Sequence, residues 1–185
     1  MKVRHLEAEL ASAAAAVRQP HLDRLRALGV APDTVARINL AYPAFGIMEG
    51  EIDRHGDFVP GPGAAHIVQP VVEREQLIDL VAWRSSNPQR WGMRTGLGWL
   101  LNADTCFATR WDGDRLQLHA TPLDWLRTDA AGGVVLDWDS PDLTWLRGFA
   151  QIDCGNDMVA ASLGRALNKP SRLPRLRTAE ARNVA

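Results

Sequence analysis

The chain is poor in the residues that ordinarily announce a function. Its two cysteines, Cys106 and Cys154, lie far apart and outside any CxxC pair. A disulfide framework or a structural zinc site needs more ligands at closer spacing, so both are excluded and the thiols read as small buried hydrophobes. No stretch reaches the ~18–20 apolar residues of a membrane helix, so no membrane partner is expected. An excess of one charge is missing too: 21 Lys and Arg against 22 Asp and Glu leave a net charge of −1. The molecule as a whole is therefore not an electrostatic binder of nucleic acid or of a membrane surface. Five scattered histidines (His5, His21, His55, His66 and His119) form no HxH or HExxH, and no serine sits in a GxSxG elbow. Zincin and hydrolase readings thus lack their residues. "GPGAAH" has neither the lysine nor the spacing of a P-loop and reads as a plain loop. The alanine-rich start, "MKVRHLEAELASAAAAVRQ", is interrupted by Glu7 and Glu9. It reads as a helix and not as a signal peptide, and a cytoplasmic location is expected.

What is present is a chain of 185 residues, 46% of them apolar, enough for one domain with a sizeable core. The first forty residues have helical spacing. Pro20 separates the alanine-rich segment from "HLDRLRALGV", where Leu22, Leu25 and Leu28 recur at helical intervals and Gly29 supplies a stop. Pro32 then opens a further helix. From Pro43 the pattern turns to strands. "AFGIMEGEI" is one, and "HIVQPVV" and "QLIDLVAWR" flank "ERE" as a β-hairpin in which Pro70 marks an edge or a bulge. "CFATRW" and "RLQLHA" around Asp112-Gly113 predict a second hairpin. Helix starts follow at Thr121-Pro122 and Ser140-Pro141, and a last helix, "NDMVAASLGRALN", is capped by Asn156 or Asp157. The fold class is α+β: an N-terminal helical hairpin, a central mostly antiparallel sheet, and C-terminal helices packed on the sheet. The expected division is a helical segment over 1–40, a core domain over 41–168 and a basic tail over 169–185.

Three features carry chemistry. "AWRSSNPQRWGMR" holds Arg84, Arg90 and Arg94 with no acid between them, and tryptophan is interleaved. Arginine beside aromatic rings suits phosphate and stacked bases, although tryptophan more often fills a core. The tail adds Arg172, Arg175 and Arg177, a basic end that reads either as a nucleic-acid contact or as a solvated terminus. Asp137 and Asp139, in "VVLDWDSP", stand two apart at a strand end, so both carboxylates share one face and could converge on Mg²⁺. The simpler reading makes them the closing turn of a strand and the charge ahead of a helix capped by Ser140.

Between residues 20 and 84 the order of features resembles the region of bacterial and phage DNA primases that precedes and enters the toprim domain. The matching pieces are "HLDRLRALGVAPDTVARINLAY", "HIVQPVV" and "LIDLVAWR", with "VVLDWDS" similar to the toprim aspartate pair. The chain departs from that pattern by lacking a zinc-ribbon cysteine set, by placing Glu49-Gly50 before the hairpin, and by putting Ser140-Pro141 where a glycine belongs. The resemblance therefore implies a non-catalytic shape. In style the sequence is also similar to proteins of phage-derived islands in high-GC bacteria. The leading expectation is a non-enzymatic accessory protein of a mobile genetic element, without a cofactor, acting on a protein partner or single-stranded nucleic acid. One alternative is an Mg²⁺-dependent phosphoryl-transfer or nuclease-type enzyme using Asp137 and Asp139. The other is a structural module that forms a stable homodimer.

Overall fold

The structure is a computed structural model that describes residues 5–38, 41–112 and 115–168, with the backbone alone for 110–112. Three helices come first: α1 (Leu6–Ala15), α2 (Gln19–Ala27) and α3 (Pro32–Ile38). Gly29, at φ +90°, ends the α2 segment, and Pro32 begins α3 where its missing N–H is least needed. Five strands then build one antiparallel sheet: β1 (Gly46–Ile52), β2 (Phe58–Pro60), β3 (Ala64–Glu73), β4 (Gln76–Arg84) and β5 (Asn87–Met93). Their order is β2-β1-β3-β4-β5. The sheet curls until the end of β5 meets the β1–β2 turn, where Met93 N–H donates to the Gly56 carbonyl at 3.2 Å.

The β3–β4 hairpin forms as the alternation of its apolar residues requires. Its turn residues, Arg74 and Glu75, both have positive φ (52° and 63°), the geometry of a type I′ turn usually given to Asn-Gly. The Asp104 carboxylate steadies it by accepting the Arg74 and Glu75 N–H groups at 2.6 and 2.9 Å. Pro70 is tolerated because β1 pairs with β3 only as far as Val68, and the register shifts between Val71 and Val72.

Alternation splits the sheet into two covered faces. On one, Leu6 and Leu10 of α1 pack against Leu77 and Leu80, and Ala13 packs with Phe58, Val68 and Ala82. This helix approaches closely enough that a Cβ on Gly46 would lie 2.5 Å from the Ala13 Cβ, so only glycine fits there. On the other face Ile67, Val71, Val81 and Trp83 meet Leu25 of α2 and the buried side of α5 (Pro122–Arg127).

The chain then builds a second apolar centre. Here lie β6 (Leu100–Leu101), α4 (Ala103–Asp112), β7 (Arg115–Leu118), β8 (Val134–Val135), a 3₁₀ helix (Pro141–Gly148), β9 (Gln151–Cys154) and α6 (Asp157–Asn168). Residues 103–112 correct the expected second hairpin, being helical. Ala103 and Cys106 are buried with Phe107 beside them, at intervals of three and four, and this packing overrides the turn signal of Asp112-Gly113. β7 pairs instead in parallel with β9, and β6 pairs with β8. α5 covers the large sheet, whereas the 3₁₀ helix and α6 cover the smaller parallel pair. The class is α+β, with a mostly antiparallel five-stranded sheet between N-terminal and C-terminal helices. Among the described residues no helix is long and apolar enough to cross a membrane.

Candidate functional site

The two-residue Ser85-Ser86 turn folds β5 back on β4 and brings Arg84 and Arg90 to one recess of about 320 Å³. Its other walls are Glu51 on β1, Gly63 and His66 on the β3 side, and Asn87. Arg90 is anchored there by donating to the Ile52 carbonyl at 3.0 Å. Arg84 is exposed and has no ion pair among the described residues. His66 is buried behind it and meets the Phe58 ring at a tilt of 56°, with centroids 5.0 Å apart. Burial holds its pKa below the usual imidazole value; its contact with the Ala64 carbonyl opposes that shift and the Arg84 charge adds to it. His66 therefore stays neutral near pH 7, and the positive charge of the recess comes from the two guanidinium groups.

Arg94 does not join them. It makes two hydrogen bonds to the Glu9 carboxylate, at 2.8 and 2.9 Å, and ties α1 to the end of β5. That pair also raises the Arg94 pKa, chiefly through the hydrogen bond. The three tail arginines, Arg172, Arg175 and Arg177, lie outside the described residues. The interleaved tryptophans do not line the recess either. Trp83 and Trp91 are opposite one another across β4 and β5, and both pack into the apolar centre on the α5 side. Trp83, Trp99 and Trp125 are fully core residues. The arginine rim can therefore hold phosphates but has no ring from these strands on which to stack a base.

Asp137 and Asp139 close a strand and open a helix. The Asp137 carboxylate accepts the Asp139 N–H at 2.8 Å, and Ser140 Oγ accepts the Asp142 N–H at 3.2 Å just ahead of the 3₁₀ helix. Among the described residues no three His, Cys, Asp or Glu side chains are grouped closely enough to hold a metal ion. A cleft of about 1230 Å³ runs between α1 and β1–β2. Two of its four carboxylates are engaged in structure, Glu9 with Arg94 and Asp53 with the His55 and Asp57 N–H groups of the β1–β2 turn, while Glu49 and Asp57 also line it.

A second, narrower cavity of about 350 Å³ has no signal in the sequence. It opens where β1 stops covering β3, and Gln69, Pro70 and Leu101 line it together with Trp125 of α5. Arg37 of α3 and Asp129, just after α5, pair at its mouth, and Thr34 Oγ1 donates to the same carboxylate at 2.7 Å. Gln69 is 1% exposed and its Oε1 accepts the Trp83 indole N–H at 2.7 Å. Its Nε2 is buried without a hydrogen-bond partner among the described residues. Three of the wall residues, Asn102, Asp129 and Ala130, have positive φ. Asn and Asp adopt that conformation readily, so of the three only Ala130 carries the steric cost of about 1–2 kcal/mol. No protein-family model, curated protein or solved structure matches the chain.

Proposed function

We propose that this protein is a non-enzymatic accessory protein of a mobile genetic element, and that it holds single-stranded nucleic acid along the Arg84–Arg90 recess. The observation that carries this reading is the meeting of those two arginines at one recess, beside Asn87, with Arg84 unpaired among the described residues. Guanidinium groups match phosphate oxygens and stay charged at any physiological pH. Glu51 on the opposite wall limits the site to a backbone track and keeps it from being a broad basic surface. With Trp83 and Trp91 turned into the core, contact is made to phosphate and not to base, so binding does not discriminate sequence. The mobile-element role follows from the resemblance of residues 20–84 to primase flanks.

Fluorescence anisotropy of a labelled oligodeoxythymidine tests this reading. The Arg84→Ala/Arg90→Ala variant is expected to bind at least tenfold more weakly. Its affinity is also expected to depend less steeply on salt, by about 0.7 in log–log slope for each phosphate that is no longer neutralised. Equal binding by the variant, or no binding by the native protein, refutes the reading. Capture of an acidic peptide by the native protein in place of the oligonucleotide would assign the recess to a protein partner.

A further inference from the structure

His66 offers the arginine recess a hydrogen-bond acceptor that the protein itself does not use. Its Nδ1 lies 2.8 Å from the Ala64 carbonyl oxygen. A carbonyl only accepts, so Nδ1 carries the proton of the neutral ring and Nε2 is left with a bare lone pair. Phe58 lies against the ring, and Phe58 is itself packed over Gly50, where a Cβ would come within 2.8 Å of its Cε2. Held through Nδ1 and by Phe58, the imidazole does not turn Nε2 to an internal donor, and no described residue hydrogen-bonds to that nitrogen. Gln69 Nε2 is the one buried side-chain nitrogen or oxygen among the described residues that is both unpartnered and sealed from solvent. His66 Nε2 is unpartnered but not sealed. It keeps a trace of accessible surface on a residue only 2% exposed, and the cavity that His66 lines is the recess.

This acceptor stands beside an arginine. Ile67 and Trp83 face one another across β3 and β4, and His66 and Arg84 are the next residues on each strand. Alternation puts His66 with Val68, and Arg84 with Ala82, on the same face of the sheet. Such cross-strand neighbours have Cβ atoms about 4.5–5.5 Å apart. A ligand that satisfies both must therefore carry a hydrogen-bond donor next to its anion. The phosphates and deoxyriboses of a DNA backbone offer acceptors alone. RNA adds one donor to each nucleotide, the 2′-hydroxyl, vicinal to the 3′-phosphate. Base amino groups are donors too, but with Trp83 and Trp91 turned to the opposite face these strands have no ring to hold a base. Glu51, also an acceptor on the lining, is exposed and hydrated, so exchanging water for a hydroxyl gains it little. We propose that the recess selects RNA over DNA: Arg84 and Arg90 hold a phosphate, and the adjoining ribose 2′-hydroxyl donates to His66 Nε2. The selection rests on the recess being a nucleic-acid backbone site and names the strand it takes.

Fluorescence anisotropy compares labelled oligouridine with oligodeoxyuridine, 2′-fluoro-oligouridine and 2′-O-methyl-oligouridine of one length. Native protein is expected to bind the ribo strand about three- to tenfold more tightly than the other three, the worth of one neutral hydrogen bond. The 2′-fluoro strand keeps the ribose pucker without the donor, and so separates the hydrogen bond from sugar shape. His66→Phe keeps a ring against Phe58, and its ratio of ribo to deoxy affinity is expected to fall to about one. In native protein labelled with ¹⁵N-histidine, the His66 Nε2 resonance is expected to be that of an unprotonated nitrogen and to move with oligouridine but not with oligodeoxyuridine. Equal binding of ribo and deoxy strands overturns the selection and leaves the recess as a backbone site if Arg84→Ala/Arg90→Ala weakens both. If that variant weakens neither, or native protein binds no strand, the backbone site falls and the selection with it. The selection is also overturned if the 2′-fluoro strand binds as oligouridine does, if folded His66→Phe keeps the ribo preference, or if Nε2 proves protonated. Uridine 3′-monophosphate carries the same vicinal hydroxyl and phosphate, and binding as tight as that of oligouridine would overturn the strand in favour of a free nucleotide.

Discussion

Replacing Asp79 by Asn removes one charge and one acceptor from the most buried carboxylate of the large sheet. Asp79 is 0% exposed, on β4, and it accepts four backbone N–H groups. Oδ1 takes those of Leu80 and Thr95, both at 2.8 Å, and Oδ2 takes those of Leu97 and Gly98 at 2.8 and 3.1 Å. The last three belong to the loop that carries the chain from the sheet into β6, so this one side chain joins the two apolar centres. In Asp79→Asn one oxygen is kept and an amide NH₂ faces two donors. With the NH₂ in the Oδ2 position, the Gly98 N–H is orphaned in a buried place, while that of exposed Leu97 turns to water or to Thr95 Oγ1 at 3.3 Å. One buried orphan costs about 1–3 kcal/mol, and the lost charge-assisted bonds add to it, so a total of about 2–4 kcal/mol is expected. Against a domain stability of about 5–15 kcal/mol this is a large fraction. Urea unfolding followed by tryptophan fluorescence reads it as a lowered midpoint at unchanged slope. A shift worth less than about 0.5 kcal/mol, the range of an ordinary surface substitution, would refute the assignment of Asp79 as the anchor of this loop.

Ser140→Ala removes the acceptor for the Asp142 N–H and is expected to cost about 1 kcal/mol, read by the same unfolding curves. Asp137→Asn retains an oxygen for the Asp139 N–H, so oligonucleotide binding is expected to stay at the native level; loss of a metal-dependent activity with unchanged melting would restore the metal reading. Gly132→Ala is expected to leave little folded protein by circular dichroism, because φ is +66° and the new Cβ would sit 2.1 Å from the Gln117 carbonyl oxygen. The Arg37 hydrogen bond, with help from Thr34, holds the Asp129 carboxyl below its ordinary pKa. A depressed carboxylate stabilises the fold above its unfolded pKa and loses that contribution as pH falls through the folded value. Melting temperatures of native protein and Asp129→Asn should therefore differ at neutral pH and converge below about pH 4.

Features specified by neighbours in the chain are legible in the sequence. The β3–β4 hairpin shows as two apolar runs around a polar turn, and the caps at Thr121, Ser140 and Asn156 each accept an N–H two or three residues on. β5 is harder to read: Asn87, Pro88, Gln89 and Arg90 carry no apolar alternation, because one side of an edge strand needs none. α4 mimics a strand because Cys106, Phe107 and Trp111 stand among polar residues. The partners that bury Cys106 and Phe107, on β7 and the 3₁₀ helix, come from later in the chain. The arginines split for a similar reason. Nothing near Arg94 reveals that Glu9 will meet it, whereas Arg84 and Arg90 are joined by a turn only two residues long. The Gln69 cavity is invisible in the sequence, since its walls come from α3, β3, β6 and the segment after α5, and a glutamine inside a strand looks like any solvent-facing polar residue.

The central claim, that a nucleic-acid backbone runs along the Arg84–Arg90 recess, is tested most directly by mapping amide chemical shifts of the labelled protein as oligodeoxythymidine is added. The resonances of Arg84, Asn87 and Arg90, with those of Glu51 and Ala64 across the recess, are expected to move together and to saturate at one affinity. Oligodeoxyadenosine should move the same set to the same extent, since phosphate and not base is held. Shifts confined to the α1 cleft or to the Gln69 cavity, with the recess resonances unmoved, would contradict the account.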